Sequence, residues 1–202
     1  MAWLAGKHRW LSPGVLLGAL VPLAVLLDRL RRNELGADPI ATALNALGLL
    51  ALVLLLASLA ATPMRLLLGF NWPLRIRRLL GLLAFSYACL HAALYLVVDQ
   101  GLALAAIVRD VTERPFITLG AAAFLLLVPL AVTSTAASRK RLGNARWLAL
   151  HRLVYLAGLL AAGHFILRVK RDLTEPLLYA TVLAALLGVR AWHRARRVAT
   201  RA

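Results

Sequence analysis

Three histidines lie inside long apolar segments, where an ionisable side chain is costly and marks a candidate functional site. His91 lies in LLGLLAFSYACLHAALYLVV, and His151 and His164 lie in WLALHRLVYLAGLLAAGHFIL. Neither segment contains Asp or Glu, so the carboxylate relay of proton-coupled transporters is not predicted. Neutral imidazoles in apolar surroundings are instead suited to bind haem iron.

The composition places these histidines in a membrane protein. The chain has 202 residues, of which 62% are hydrophobic, a formal charge of +16 and a single Cys. High hydrophobicity excludes a disordered chain, and one Cys excludes a disulfide scaffold or a cysteine-built metal cluster. Nucleic acid is not predicted as a partner despite the positive charge, because the apolar residues form runs long enough to cross a lipid bilayer.

Six such runs predict an all-α, polytopic bundle of six transmembrane helices that forms one domain over 1–202. A spanning helix needs about 20 apolar residues. The sixth run is short, so it is predicted either to tilt into the interface or to be extended by Arg190, whose side chain then reaches the membrane surface. The apolar stretch GLALAAIV, between the third and fourth runs, predicts a short interfacial helix. The six predicted spans are about 10–27, 40–62, 79–98, 116–137, 147–167 and 177–192.

The distribution of charge predicts the orientation. With six spans, both termini lie on the same side of the membrane. That side carries two thirds of the 24 Lys and Arg residues and no acidic residue, whereas the other side carries all eight Asp and Glu residues. By the positive-inside rule, both termini are predicted to be cytoplasmic. Trp3, His8 and His193, in or near the basic tails, are interpreted as interfacial residues.

His91 and His164 are predicted to lie at a similar membrane depth. Their spans run in the same direction, and the histidines come about 12 and about 17 residues after the span starts, a difference of a few ångströms. This pair predicts the two axial ligands of a low-spin haem. The alternatives are histidines that only hydrogen-bond across helices and, less favoured, a zinc site. Small residues near the pair would leave room for a flat ring: Ala88, Ala92, Ala93, Ala161, Ala162 and Gly163.

His151 is predicted to lie about 20 Å nearer the cytoplasm than His164. Ideal helix geometry places these two histidines on different faces, because thirteen residues at about 100° each leave a rotation of about 220°. Either the helix is distorted near Gly158 or Gly163, or the two histidines serve differently oriented sites.

The third span offers arginine rather than histidine at the depth of His151. Arg77 and Arg78 lie there, so an inner site of one imidazole and clustered cations suits an anionic cofactor, through a flavin phosphate or haem propionates. Arg168, one turn after His164, is a further candidate propionate partner. The alternative for these arginines is that they only satisfy the positive-inside rule or end a helix.

Two strings carry a more specific resemblance. RRLLG…YA..LH and TS…RLG..RW..LHRLVY, within about 62–165, resemble the MsrQ (YedZ) family, the haem-binding membrane subunits of bacterial methionine-sulfoxide reductase systems. The family's haem-linked histidines fall on His91, His151 and His164. Related oxidases carry two histidines on the third span, where this chain has one, so a second bis-histidine haem is in doubt.

The resemblance implies a function in electron transfer. It implies a ferric reductase-like transmembrane domain in the bacterial inner membrane, with b-type haem and FMN as cofactors. Electrons would come from the quinone pool, or from a cytoplasmic flavin reductase, and would pass to MsrP, a periplasmic molybdopterin subunit that reduces methionine sulfoxide in oxidised proteins. The chain itself would not hold the sulfoxide-reducing site. Two alternatives are a ferric reductase or oxidase, and a cofactor-free transporter or scaffold with structural histidines.

Overall fold

The computed structural model describes residues Trp10–Thr200, which are helical with short connections. No strand occurs in this range, which confirms the all-α prediction. A π-helical segment, Leu94–Asp99, continues the third helix. The interpretations of Trp3 and His8 concern residues outside the described range. The helices are α1 Leu11–Arg31, α2 Pro39–Leu68, α3 Pro73–Ala93, α4 Leu104–Glu113, α5 Pro115–Val132, α6 Ala136–Leu142, α7 Asn144–His151, α8 Leu153–Arg168 and α9 Thr174–Ala199.

Six helical segments are long and apolar enough to cross a membrane, which confirms the predicted number of spans. The third combines α3 with the π-helical segment, and the fifth combines α7 with α8. The short apolar part of the sixth run continues as helix through the basic residues that follow it, as far as Ala199. The predicted short helix between the third and fourth spans is α4.

Local signals explain where these helices begin and end. Proline is the first residue of α2, α3 and α5, where its fixed φ suits a helix and no N–H is needed. Asp38 caps α2 by accepting a hydrogen bond of 2.9 Å from the N–H of Ala41. Gly69 ends α2 with a φ of 72°, a left-handed conformation that glycine adopts without steric cost.

The fourth span ends at Val132, earlier than the predicted 137, because three consecutive hydroxyl residues bond to the backbone. The hydroxyl of Thr133 donates to the carbonyl of Pro129 at 2.6 Å, and that of Ser134 donates to Leu130 at 2.7 Å. Thr135 then caps α6 by accepting from the N–H of Ser138 at 3.0 Å. Such side-chain bonds compete with helix continuation, so the chain turns here.

The chain divides into two compact units. The first holds residues up to Arg65 together with Gly69–Leu102, and the second holds Leu66–Leu68 together with residues from Ala103 onward. The expectation of a single domain over 1–202 stays a prediction.

In the first unit, side chains from neighbouring helices bond to backbone carbonyls. The Tyr87 hydroxyl on α3 donates to the carbonyl of Ala19 on α1. The Ser58 hydroxyl on α2 donates to the carbonyl of Arg77 on α3 at 2.9 Å. Leu59 and Ala84, each 1% exposed, lie in the core of this unit. In an apolar environment, such interhelical bonds fix the register of one helix against the next.

In the second unit, α8 packs mainly against α5 and also against α9. Small buried residues line this packing: Ala123 on α5, and Ala157, Gly158 and Ala162 on α8. Small side chains let two helix backbones approach closely, which is the usual basis of helix association in lipid. Leu183, 1% exposed, fills the core from α9.

Replacing Tyr87 with Phe tests the bond between α1 and α3. We expect Tyr87→Phe to lower the free energy of unfolding by about 1 kcal/mol, because the hydroxyl that links α3 to the carbonyl of Ala19 is lost. Ser86→Ala is the matched control, since the Ser86 hydroxyl bonds only within α3, to Leu82. SDS titration in mixed micelles measures both changes. Equal stability of the two variants would contradict the bond.

Candidate functional site

His91 is held by a backbone carbonyl of the neighbouring helix. Its Nδ1 lies 2.9 Å from the carbonyl oxygen of Leu44 on α2. A carbonyl oxygen can only accept, so Nδ1 carries the hydrogen. In a neutral imidazole, the other nitrogen, Nε2, then carries the lone pair that a metal needs. The ring is half-buried, near the end of α3.

His164 in the second unit is held in the same way. Its Nδ1 lies 2.6 Å from the carbonyl oxygen of Phe116, in the first turn of α5. The Phe116 ring lies beside the imidazole, with the ring centroids 6.0 Å apart. By the same reasoning as for His91, Nδ1 donates and Nε2 carries the lone pair. A histidine whose Nδ1–H is held by a carbonyl is the usual arrangement of a metal-binding imidazole.

A glycine stands one turn after each accepting carbonyl. A Cβ added to Gly48, one turn after Leu44, would lie 3.2 Å from both Nδ1 and Cε1 of His91. A Cβ added to Gly120, one turn after Phe116, would lie 2.7 Å from Nδ1 of His164. Each imidazole edge therefore occupies the volume that a side chain at the glycine position would fill.

His151 is bonded differently. Its Nε2 lies 3.0 Å from the hydroxyl oxygen of Thr133. The single hydroxyl hydrogen of Thr133 is directed to the carbonyl of Pro129, so the hydroxyl oxygen accepts from His151. Nε2 of His151 therefore carries the hydrogen, and the lone pair is on Nδ1. This is the opposite tautomer to that of His91 and His164.

Thr133, Trp147 and His151 form one cluster, the Thr133 cluster, at the end of α5. The rings of Trp147 and His151 are stacked, with centroids 3.9 Å apart and an interplanar angle of 25°. The indole N–H of Trp147 donates to the backbone carbonyl of Thr133 at 2.8 Å. The guanidinium of Arg139 lies 5.7 Å from the Trp147 ring centroid. The cluster thus combines an aromatic stack with a nearby cation.

The helix that carries His151 and His164 is interrupted at Arg152. The N–H groups of Arg152 and Tyr155 bond to the carbonyls three residues before them, at Ala149 and Arg152. Bonds of this kind tighten a helix and change its rotation per residue. A distortion near Gly158 or Gly163 was one of two alternatives from the sequence; the irregularity in the structure lies at Arg152 instead.

Both histidines of the fifth span reach α5. His164 bonds to Phe116 in its first turn, and His151 bonds to Thr133 immediately after its last residue. Ideal helix geometry put the two on different faces, yet both bond to the same neighbouring helix, and the chain between them is interrupted at Arg152. They contact opposite ends of α5, at a distance of about 25 Å along that helix.

The predicted arginine partners are placed as follows. Arg77 is half-buried and Arg78 exposed, both in the first turns of α3, and the backbone carbonyl of Arg77 accepts the Ser58 hydroxyl. Arg168 is the last residue of α8, one turn after His164, and is half-buried. Their roles toward a phosphate or propionate stay predictions.

The residues present fit a haem in their donor chemistry. His91 and His164 each offer a neutral imidazole with Nδ1 already bonded, which leaves Nε2 as the metal-binding atom. Within residues 10–200, no three His, Cys, Asp or Glu side chains come together as a metal cluster. His91 lies in the first unit and His164 in the second. The pairing of these two histidines on one iron stays a prediction.

Gly48, Gly120 and Thr133 are site residues that the sequence reasoning missed. The small residues it named lie on the histidines' own helices, whereas the two glycines lie on the neighbouring helices α2 and α5. The sequence contains one signal for the two glycines, because each follows a leucine on its helix, as Leu47–Gly48 and Leu119–Gly120.

Comparison with known proteins gives a family and named relatives. The model of the protein family named ferric reductase like transmembrane component matches residues 42–162 of this chain. A protein of Rhodospirillum rubrum is 51% identical over 91% of this chain and 88% of the relative. One of Deinococcus radiodurans is 53% identical over 92% of each chain, and one of Brucella melitensis is 51% identical over 81% of this chain and 72% of the relative. All three are described as the heme-binding subunit MsrQ of protein-methionine-sulfoxide reductase.

The Thr133 cluster predicts a difference between two substitutions. Thr133→Val should lower the free energy of unfolding by about 1 to 2 kcal/mol, because the Nε2–H of His151 loses its acceptor in an apolar environment. Thr133→Ser keeps the hydroxyl and should stay within about 0.5 kcal/mol of the native protein. SDS titration measures both variants. If Val and Ser give equal stabilities, the hydroxyl does not hold His151.

Proposed function

This chain belongs to the ferric reductase-like transmembrane family and, within it, to the MsrQ group, and we propose that it is the haem-carrying electron-transfer subunit of a methionine-sulfoxide reductase system. The observation that carries this proposal is the bonding of His91 and His164. Each imidazole is held at Nδ1 by a backbone carbonyl, and each therefore offers Nε2 as a ligand. Two of the named relatives match nearly the whole chain and are described as haem-binding subunits, which supports the same function.

His91 and His164 would hold a b-type haem, each through its Nε2 atom. Haem iron with two histidine ligands carries one electron at a time and keeps no open position for oxygen. The carbonyl bonds of Leu44 and Phe116 orient the two rings and increase the electron donation of Nε2.

The chain would transfer electrons without reducing the sulfoxide itself. Its cytoplasmic side, assigned by the excess of Lys and Arg, would receive electrons from quinone or from a cytoplasmic flavin reductase. Its periplasmic side would deliver them to a molybdopterin subunit of the MsrP kind. The proposed location, between a cytoplasmic donor and a periplasmic acceptor, is the bacterial inner membrane.

The Thr133 cluster is the proposed inner site for FMN or a second haem. His151 and Trp147 present a stacked aromatic pair, and Arg139 supplies a positive charge beside it. A flavin ring stacks on aromatic side chains, and its phosphate binds cations, so both parts have a chemical partner here. Arg77, Arg78 and Arg168 remain proposed partners of phosphate or propionate groups.

A ferric reductase or oxidase is the second candidate function. The name of the matching family model favours it. The two functions differ in their acceptor, since a ferric reductase would reduce soluble ferric chelates rapidly without any partner protein. The proposed subunit would do so only slowly and would reduce a periplasmic molybdopterin partner rapidly.

Quantification of haem in histidine variants tests the proposed function. The purified native protein should be red, with a split b-type band in the difference spectrum between reduced and oxidised forms. We expect His91→Ala and His164→Ala each to lose the haem that the pair holds, because one remaining imidazole binds iron weakly. Haem content by the pyridine haemochrome method and FMN content by fluorescence measure the result for each variant.

Two further variants complete this experiment. His193→Ala is the matched control, since His193 lies on the basic end of α9 and accepts from Arg197 at 3.1 Å, and it should keep full haem. His151→Ala should change the cofactor content of the inner site and leave the haem that His91 and His164 hold. A colourless native protein from cells supplied with haem precursor would contradict the proposal, as would full haem in His91→Ala.

A further inference from the structure

We propose that Gly48 and Gly120 are positioning residues that keep open the backbone carbonyls holding the two haem-ligand histidines. This inference rests on the proposed function, because it concerns how His91 and His164 present Nε2 to a haem iron. It adds two residues on α2 and α5 that bind no cofactor themselves. Each acts through the imidazole that lies against it.

Helix geometry explains why a glycine is needed at these points. In an α-helix, each Cα–Cβ bond leans toward the N-terminus, so a side chain covers the turn that precedes it. A side chain one turn after a carbonyl therefore takes up space beside that carbonyl. Glycine at this position leaves the second lone pair of the carbonyl oxygen accessible to an outside donor.

The two histidines use this opening in the same way. The Nδ1–Cε1 edge of each imidazole lies over the glycine, with its Nδ1–H directed to the carbonyl one turn earlier. With the histidines in their native positions, a methyl group added at Gly120 would lie against the His164 ring, and one added at Gly48 would lie against the His91 ring. The carbonyl bond and a side chain therefore exclude each other at Gly120, whereas at Gly48 the imidazole must shift by a few tenths of an ångström.

The local construction recurs along the chain. The accepting carbonyl precedes its histidine by 47 residues in one case and by 48 in the other. Two turns before each histidine stands a fully buried alanine, Ala84 at 1% and Ala157 at 0% exposure. The pairs α2–α3 and α5–α8 thus repeat one arrangement: a Leu-Gly pair on one helix, and a buried alanine followed by a histidine on the other.

A third instance of the same opening involves no histidine. The Ser58 hydroxyl on α2 donates to the carbonyl of Arg77 on α3, and Gly81 stands one turn after that carbonyl. A Cβ added to Gly81 would lie 3.5 Å from the Ser58 oxygen, which is ordinary contact. Gly81 therefore provides a control that has the same backbone geometry without a tight fit.

Four alanine substitutions test the inference. Gly120→Ala, whose Cβ would lie 2.7 Å from Nδ1, should lose haem as completely as His164→Ala does. Gly48→Ala, at 3.2 Å, should keep haem with a shifted EPR spectrum and a shifted midpoint potential, because the ring must move by a few tenths of an ångström against its carbonyl. Gly81→Ala and Gly188→Ala, the latter with nothing within 4 Å, should match the native protein.

The readouts separate a positioning role from a general loss of folding. Size-exclusion chromatography in detergent identifies folded variants, and haem content, EPR spectrum and redox titration are then measured on those. If Gly120→Ala does not fold, the measurements on Gly48→Ala alone test the positioning role. A native EPR spectrum and potential in Gly48→Ala would overturn the inference, as would equal shifts in Gly188→Ala. A haem-free native protein would instead contradict the proposed function and remove the basis of this inference with it.

Discussion

The hydrogen bond between an imidazole Nδ1–H and a backbone carbonyl is the interaction on which the candidate site depends. It fixes the tautomer of a neutral histidine, and with it the nitrogen that can bind a metal. His91 and His164 both make this bond, whereas His151 gives its Nε2–H to Thr133. His91 and His164 therefore share one tautomer, and His151 has the other, although the sequence alone does not distinguish the three.

The carbonyl bond also imposes demands on the rest of the fold. An α-helix uses its carbonyls internally, so an imidazole ring can lie close against one only where the residue one turn later leaves room for the ring. Gly48 and Gly120 satisfy this condition, and buried alanines on α3 and α8 allow the helices to approach. In the second unit, the fifth span is interrupted at Arg152 and bonds to both ends of α5. The glycines, the buried alanines and the interrupted fifth span thus all concern one geometric requirement, which is that each histidine reaches its hydrogen-bond acceptor.

The sequence predicted the features that depend on composition along one helix. Six spans, the short helix α4 and the three histidines follow from apolar run length and from the cost of an ionisable group in lipid. The features it missed depend on register between helices. The role of Gly120 requires knowing which turn of α5 faces His164, and no periodicity within either helix contains that information. The ends of α5 and α7 were missed because they depend on local backbone bonds at Thr133 and Arg152.

The tautomers of the three histidines test the central claim most directly. In ¹⁵N-histidine-labelled, haem-free protein in lipid, the nitrogen chemical shifts distinguish Nδ1–H from Nε2–H imidazoles, and single alanine substitutions assign each signal. The bonds described here predict Nδ1–H for His91 and His164 and Nε2–H for His151. An Nε2–H tautomer at His91 or His164 would contradict the account, because the nitrogen meant to bind iron would then carry a hydrogen.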